Sequence, residues 1–366
     1  MEIAIIGLPQ CGKTTIFNAA TRGAAEVVAY ANKPNIGVAK VPDGRLDVLE
    51  GMFKPKRTVY AEVTYLDIPA APEGLGKTQG ISGEYLNFLQ RADAILIVAR
   101  AFEDPSVPHV AESIDAFRDI DNMLYELTFA DLEILERRLK RVDDSFKGAR
   151  GTERDALTKE QATLERIKAE LESGVHVRDQ TVTEDEKRLL SGFQLLTSKP
   201  LIVVVNAGED QLDQIADMET RLATEVEGSN IKTAALCGKV EMELAQMGQD
   251  AEEEADFRAT MGVTGESGLN RMISLSYAAL NLISFLTVGE DECRAWPITK
   301  GMAAQQAAGK IHTDLERGFI RGEVMTYDDL CSCRTLAEVR KRGLLRQEGK
   351  TYTVQDGDIM NILFNV

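Results

Sequence analysis

A mainly parallel α/β sheet with a helical insertion and a small β-rich C-terminal region is predicted by three features of the 366-residue chain. A short apolar run, Ile3 to Ile6, breaks at Gly7 into a loop that satisfies Gly-x-x-x-x-Gly-Lys-Thr with Gly7, Gly12, Lys13 and Thr14. Two further continuous apolar runs, AILIVA at 94–99 and LIVVV at 201–205, have the composition of strands buried on both faces. Between these two lies a long insertion, 124–198, whose leucines fall at helical spacing.

The first strand and the loop after it form a phosphate-binding unit. Glycines let the backbone curl so that its N–H groups converge on phosphate oxygens. The cradle is expected over Pro9, Gln10, Cys11, Gly12, Lys13, Thr14 and Thr15. Lys13 supplies a cation for the terminal phosphates, and the Thr14 hydroxyl is placed to ligate a magnesium ion. A helix over 15–20 turns its N-terminal dipole toward the same anion. Cys11, beside Lys13 at a helix N-terminus, reads either as a stabilised thiolate or as a small residue that fits the loop.

Residues 24–41 have no clear period until a strand near 36–41. Residues 59–66 alternate and end in Asp67, at a strand's carboxyl end, the position that suits a second magnesium carboxylate. Pro69 and glycines 74, 76, 80 and 83 follow, as expected of a segment that rearranges with the γ-phosphate. After the run at 201–205 comes Asn206-Ala207-Gly208-Glu209, at the sheet end where ligands bind. Guanine readers carry Asn-Lys-x-Asp there, and the aspartate accepts from guanine N1–H and the 2-amino group. With Ala207 for the lysine and Glu209 for the aspartate, guanine specificity weakens and adenine becomes the expected base.

Asp and Glu outnumber Lys and Arg, 59 to 42, for a formal charge of −17. Such acidity argues against a surface that hugs nucleic acid or an anionic membrane throughout, and leaves room only for a local basic face. No signal pattern is read at the N-terminus, and no apolar run reaches about 18 residues. A soluble, cytoplasmic protein without membrane contact is the expectation. Five scattered cysteines fit a reducing compartment, and Cys331 and Cys333 are too few and too close for a zinc site.

Within the insertion, Leu132, Leu135, Leu139, Val142 and Phe146 alternate three and four apart, and Leu157, Leu164 and Leu171 repeat every seven. A turn at 148–151 separates the runs, so an antiparallel helical hairpin is predicted. Lys140, Arg141, Lys147, Arg150 and Arg154 gather near its tip, a candidate RNA contact or a solvated face. The acidic stretch 249–257 reads as an exposed loop or helix start, and a helix is expected over 267–286. Strands at 323–325, 352–354 and 359–364 suggest a small β-grasp-like domain, where His312 reads as a fold or interface residue.

The chain resembles the Obg-like ATPases, the YchF subgroup of the translation-factor class of phosphate-loop NTPases. The matching stretches are GLPQCGKTTIFNA (7–19), PNIGVAKVPDGRLDVL (34–49), LDI (66–68), RADAILIVARAFEDP (91–105), NAGED (206–210), and RAWPITKGMAAQQAAGKIHTDLERGFIRGEV (294–324) with VQDGDIMNILFNV (354–366). The resemblance implies a nucleotide-binding domain over 1–282, interrupted by a coiled coil at 124–198, and a TGS-type domain over 283–366. It implies an ATP-preferring or dual-specificity enzyme with the base near Asn206, Ala207 and Glu209, and an association with ribosomes or translation; contact with ribosome or RNA through the arm and C-terminal domain is the expectation. It also implies a catalytic part for His109 near the γ-phosphate, against which stands an ordinary loop histidine.

Two positions depart from the family pattern. Ala31 stands where a threonine hydroxyl would close over magnesium, and Ala70 where a glycine N–H would meet the γ-phosphate. The expected activity is therefore slow, magnesium-dependent ATP hydrolysis by a nucleotide-gated switch, with Lys13 and His109 as its candidate catalytic residues. The alternatives are a non-catalytic nucleotide-binding adaptor and a conventional GTPase.

Overall fold

Continuous apolar strands need cover on both faces, and the computed structural model supplies it. It describes residues 1–23, 34–68, 81, 83–107, 109, 113–226, 228, 231–247, 251–261 and 267–365. The strands in chain order are β1 Glu2–Ile6, β2 Asn35–Lys40, β3 Arg57–Val59, β4 Glu62–Asp67, β5 Ala94–Arg100, β6 Leu201–Asn206, β7 Ile231–Leu236, β8 Leu282–Thr287, β9 Glu292–Thr299, β10 Phe319–Thr326, β11 Arg346–Glu348 and β12 Asp358–Phe364. Packing divides the chain into two units, Met1–Val38 with Thr64–Met272, and Ala39–Val63 with Ile273–Val366.

The first unit is built on a sheet of order β2-β4-β1-β5-β6-β7. β4, β1, β5, β6 and β7 run parallel. Every residue of β5 and β6 is buried, as their apolar composition requires. Ala4, Ile6, Ile95, Ile97, Leu201 and Val203 share one core with Ile120, Met123 and Leu127 of the helix Ala116–Ser145. Because strand side chains alternate, Ile3 and Ile5 face the opposite side of the sheet, and both are fully buried there. Strand ends at Ile6, Asp67, Arg100, Asn206 and Leu236 therefore gather at one edge, where a ligand meets a parallel sheet.

The insertion is the predicted hairpin. Its helices, Ala116–Ser145 and Thr152–Glu172, are joined across residues 146–151. Leu135 and Val142 pack on Leu164, Ile167 and Leu171, and Leu132, Leu139, Phe146 and Leu157 flank them. The first helix begins at Ala116, earlier than the expected 124, because the Asp115 carboxylate accepts the Arg118 N–H at 3.1 Å and caps it. At the root, buried Asp131 accepts the N–H groups of Leu196 (2.8 Å) and Thr197 (2.7 Å) and the Thr197 hydroxyl (2.6 Å). Burial there pushes its carboxyl up to about 6.

The second unit carries a sheet of order β11-β10-β12-β8-β9-β3. β12 and β8 pair in parallel, flanked by the antiparallel pairs β10–β12 and β8–β9. Its core joins Phe285, Ile298, Phe319, Val324 and Met360 to Ala304, Ala307 and Ala308, and these alanines let the helix Ala304–Ile311 lie close to the sheet. His312 caps the helix Thr313–Arg317, its Nδ1 accepting the Asp314 N–H at 3.2 Å, which gives it a fold role.

Several expectations change. Residues 59–66 are not one strand: β3 pairs with β9, β4 pairs with β1, and Tyr60 and Ala61 fall between them. That pairing, with an Arg45–Asp356 ion pair at 2.9 Å, holds segment 39–63 in the second unit rather than in the nucleotide-binding region where it was expected. Packing assigns the chain from Ile273 onward to the second unit. The helix expected through 286 ends at Ala279, because Asn281 takes a left-handed φ of 54° and the chain turns into β8. The acidic stretch is helical, Ala251–Thr260. Around 352–354 there is only an isolated bridge, Ala303 to Thr353.

Candidate functional site

The loop from Gly7 to Gly12 joins β1 to the helix Lys13–Ala20, which starts two residues earlier than expected. Gln10 (φ 63°) and Gly12 (φ 92°) are left-handed, a sequence of turns that aims successive N–H groups into a concavity. No side chain caps the helix, so its first-turn N–H groups remain donors for an anion. Gly7 is required sterically, since a Cβ there would lie 2.3 Å from the Val98 carbonyl oxygen. Lys13 Nζ donates to the carbonyls of Gly7 (3.0 Å) and Leu8 (2.9 Å), which holds its ammonium across the loop.

Asn206 locks this loop to the sheet. Its Nδ2 donates to the Cys11 carbonyl at 3.0 Å, and its Oδ1 accepts the Gly238 N–H at 2.9 Å. A Cβ on Gly12 would lie 2.1 Å from that amide nitrogen, so the glycine makes room for the lock. Asn206 was expected to face the base; it lines the cleft, and each end of its amide also makes one backbone bond, which leaves a second N–H and a second lone pair. Cys11 is 2 % exposed, and burial raises its thiol above the ordinary value although Lys13 pulls the other way. Both observations favour the small-residue reading of Cys11 over the stabilised thiolate.

A cleft of about 840 Å³ runs from this loop to the ends of β5, β6 and β7. It is lined by Gln10, Gly12, Lys13, Thr14 and Thr15 at one end and by Asn206, Ala207 and Glu209 at the other. Pro9, Cys11, Asp67 and His109 are not among the lining residues. Asp67, 4 % exposed, accepts from the Thr14 hydroxyl at 3.0 Å and from the Asn35 amide at 3.3 Å. A hydroxyl and a buried carboxylate within one hydrogen bond form the hard-oxygen donor set that suits magnesium, which keeps most of its own waters. The His109 side chain is 5 % exposed, with Nε2 2.8 Å from Asp119 Oδ2. Ala31 and Ala70, the two departures in the switch segments, lie outside the described residues.

Other cleft residues escaped the sequence reading. Phe102 lines the wall, backed by the fully buried Arg100, whose guanidinium stacks 4.4 Å from the ring and whose Nε donates to the Phe102 carbonyl at 3.0 Å. Lys239 reaches in from the helix Gly238–Gln246, and its Nζ meets Glu209 Oε2 at 2.6 Å. That hydrogen bond raises the Lys239 pKa above its ordinary value. Both residues follow strand ends, Arg100 of β5 and Leu236 of β7, the one signal that would have pointed to them.

A glycine loop wrapped on a helix N-terminus, at the carboxyl edge of a parallel sheet, defines a phosphate-loop nucleotide-binding protein. Residues 2–130 match the family model described as "50S ribosome-binding GTPase", and residues 282–365 match YchF-GTPase_C, described as "Protein of unknown function (DUF933)". The chain is 38 % identical over 371 residues to the protein named "Ribosome-binding ATPase YchF" of Bacillus subtilis (strain 168), covering 100 % of both. The protein of the same name in Escherichia coli O157:H7 is 37 % identical over 374 residues, covering 100 % of this chain and 99 % of that protein. Its fold matches the structure of the Schizosaccharomyces pombe YchF GTPase with a TM-score of 0.84 at 31 % identity, over 99 % of this chain and 97 % of the other. The chain belongs to the YchF family. Among the described residues, no helix is long and apolar enough to cross a membrane.

Proposed function

We propose that the chain is a magnesium-dependent ATPase that prefers ATP to GTP and acts as a nucleotide-gated switch on the ribosome in the cytoplasm. The observation that carries this reading is the single cleft joining the phosphate loop to Ala207 and Glu209, where the residue in the guanine-reading position is tied to Lys239. In this reading the loop N–H groups from Gln10 to Thr15 bind the phosphates, and Lys13 sets its charge against the terminal ones. Thr14 and Asp67 hold the magnesium ion, which when bound neutralises charge on the β- and γ-phosphates. Phe102 gives the base an apolar wall. A catalytic part for His109 requires the imidazole to leave Asp119, so Lys13 is the group we assign to the reacting phosphates.

The ribosome enters through the relatives, which are named ribosome-binding. The arm offers exposed cations at its tip, although Lys147 already pairs with Asp144 at 3.0 Å and Arg154 lies 5.7 Å from the Phe146 ring centre. We assign the RNA contact to Lys140, Arg141 and Arg150, and the TGS-type role to residues 283–366. Charge reversal at those three positions is expected to abolish co-sedimentation with ribosomes; retention would sink the assignment.

The test of the nucleotide reading is calorimetric titration of the magnesium complexes of non-hydrolysable ATP and GTP analogues into nucleotide-free protein. Tighter binding of the ATP analogue is expected, and tighter binding of the GTP analogue overturns the base assignment. Multiple-turnover phosphate release should exceed that of a Lys13→Ala control. Release no greater than the control would favour the adaptor reading.

A further inference from the structure

The outward face of the helix Ala116–Ser145 carries chemistry that the nucleotide cleft does not use. Residues four apart share one face of a helix, so Asp121, Tyr125, Phe129 and Glu133 form a single stripe along it. Their core-facing neighbours Ile120, Met123 and Leu127 are buried, whereas Tyr125 is 57 % and Phe129 40 % exposed. Two large aromatic side chains open to solvent one turn apart, rimmed by exposed carboxylates, have the composition of a contact surface rather than of a solvated face. Between Asp115 and Glu136 the sequence holds one cation, Arg118, and its guanidinium is already bonded to Asp119 at 2.9 Å. Partial burial and the like charges of Asp115 and Glu225 hold the Asp121 carboxyl above its ordinary value. The stripe is therefore negative, and no cation of its own helix offsets it.

The chain itself shows how such a surface holds a cation. At the start of the same helix the Arg221 guanidinium lies 3.8 Å from the centre of the Phe117 ring and pairs with Glu225 at 2.6 Å. Phe117 stands four residues before Asp121, so the stripe continues from it. Among the described residues no cation stacks on Tyr125 or Phe129. We propose that Asp121, Tyr125, Phe129 and Glu133 form a docking surface for a Lys- and Arg-rich protein segment of the ribosome, whose cations stack on the two rings beside the two carboxylates. The proposal rests on the ribosome association argued above and names the kind of ribosomal component that meets the root of the arm. RNA does not fit this face, because its phosphates would meet carboxylates and like charges repel. The arm is thus divided: its root takes protein through aromatic and acidic groups, and its tip takes RNA through the cations already assigned to that contact.

The test uses the full chain and purified ribosomes, with the magnesium complex of the ATP analogue present. Phe129→p-benzoylphenylalanine puts a photo-crosslinker on the stripe, and irradiation is expected to join it to a ribosomal protein within a segment rich in Lys and Arg. Asp121→Lys with Glu133→Lys is expected to remove that adduct and to weaken co-sedimentation by about tenfold or more, since like charges then face each other. Tyr125→Ser with Phe129→Ser weakens it also, whereas Tyr125→Phe with Phe129→Tyr keeps both ring faces and retains it. All four side chains are exposed, so these variants should keep the wild-type denaturant midpoint, which separates a lost contact from a lost fold. An adduct on RNA or on a segment without Lys or Arg, or no adduct while the crosslinker variant still co-sediments, overturns the docking surface and leaves the ribosome reading standing. Affinity of the charge-reversed variant within about twofold of wild type overturns it too. Failure of the wild-type chain to co-sediment overturns the ribosome reading itself, and the docking surface with it.

Discussion

The two ends of the cleft are built on opposite principles. At the phosphate end the groups proposed to bind are backbone N–H donors, held by left-handed Gln10 and Gly12 and locked by the buried amide of Asn206. At the end proposed for the base stand two solvent-facing side chains, Glu209 at 41 % and Lys239 at 61 % exposure, joined by one ion pair. The triphosphate is common to every nucleotide, so its site can be rigid and steric. The base is what differs, so the site proposed for it consists of groups that can change without disturbing the fold. Changes at the phosphate end should cost stability and weaken ATP and GTP alike, whereas changes at the base end should alter only their ratio.

Gly12→Ala is expected to have the largest effect. A left-handed φ of 92° strains any L side chain by about 1–2 kcal/mol, and the new Cβ falls 2.1 Å from the Asn206 amide. Binding of both analogues should fall by about a hundredfold or more. A loss confined to one analogue would break the distinction between the two ends. Asn206→Ala comes next. It strands the Cys11 carbonyl and the Gly238 N–H without partners, at about 1–3 kcal/mol for each buried group. Denaturant unfolding should register a loss of roughly 2–5 kcal/mol in all. A change below about 0.5 kcal/mol would mean that Asn206 is no lock.

What was legible in the sequence follows the same division. The phosphate loop could be read because its constraints are local: a strand, two glycines, a lysine and a threonine within a few residues. The sheet was legible too, since the runs at β5 and β6 admit no exposed face. The lock made by Asn206 was not legible because its partners, Cys11 and Gly238, are far off in the chain and meet it only through the alignment of strands. Lys239 and Phe102 escaped for the same reason: nothing near them in sequence marks a strand end as the rim of a cleft. At β8 the apolar residues fit a helix stripe equally well, and only the left-handed Asn281 decides against it. Segment 39–63 was placed with its chain neighbours, whereas β3 pairs with a strand more than 200 residues away.

Thr14→Ala sharpens the comparison from the metal side. The hydroxyl within 3.0 Å of Asp67 is expected to matter only when magnesium is present. In magnesium, affinity for both analogues should fall about tenfold with their ratio unchanged, and in excess chelator wild type and variant should bind alike. A difference that persists in chelator would assign the hydroxyl to the phosphates rather than to the ion.

The smallest expected effect is the most discriminating. Lys239→Met removes an ion pair whose members are both substantially exposed, and such pairs contribute little because water already solvates each charge. Unfolding free energy should therefore move by less than about 0.5 kcal/mol, even though the same change is expected to shift base choice. If stability instead falls by about 2 kcal/mol or more, the pair is part of the frame. The base end would then resemble the phosphate end, and selectivity would have to be sought in residues that the fold does not need. A silent stability result beside a changed ratio is the combination that keeps the two ends distinct. It would also explain how a sheet held this tightly at one edge leaves the choice of base to two exposed side chains.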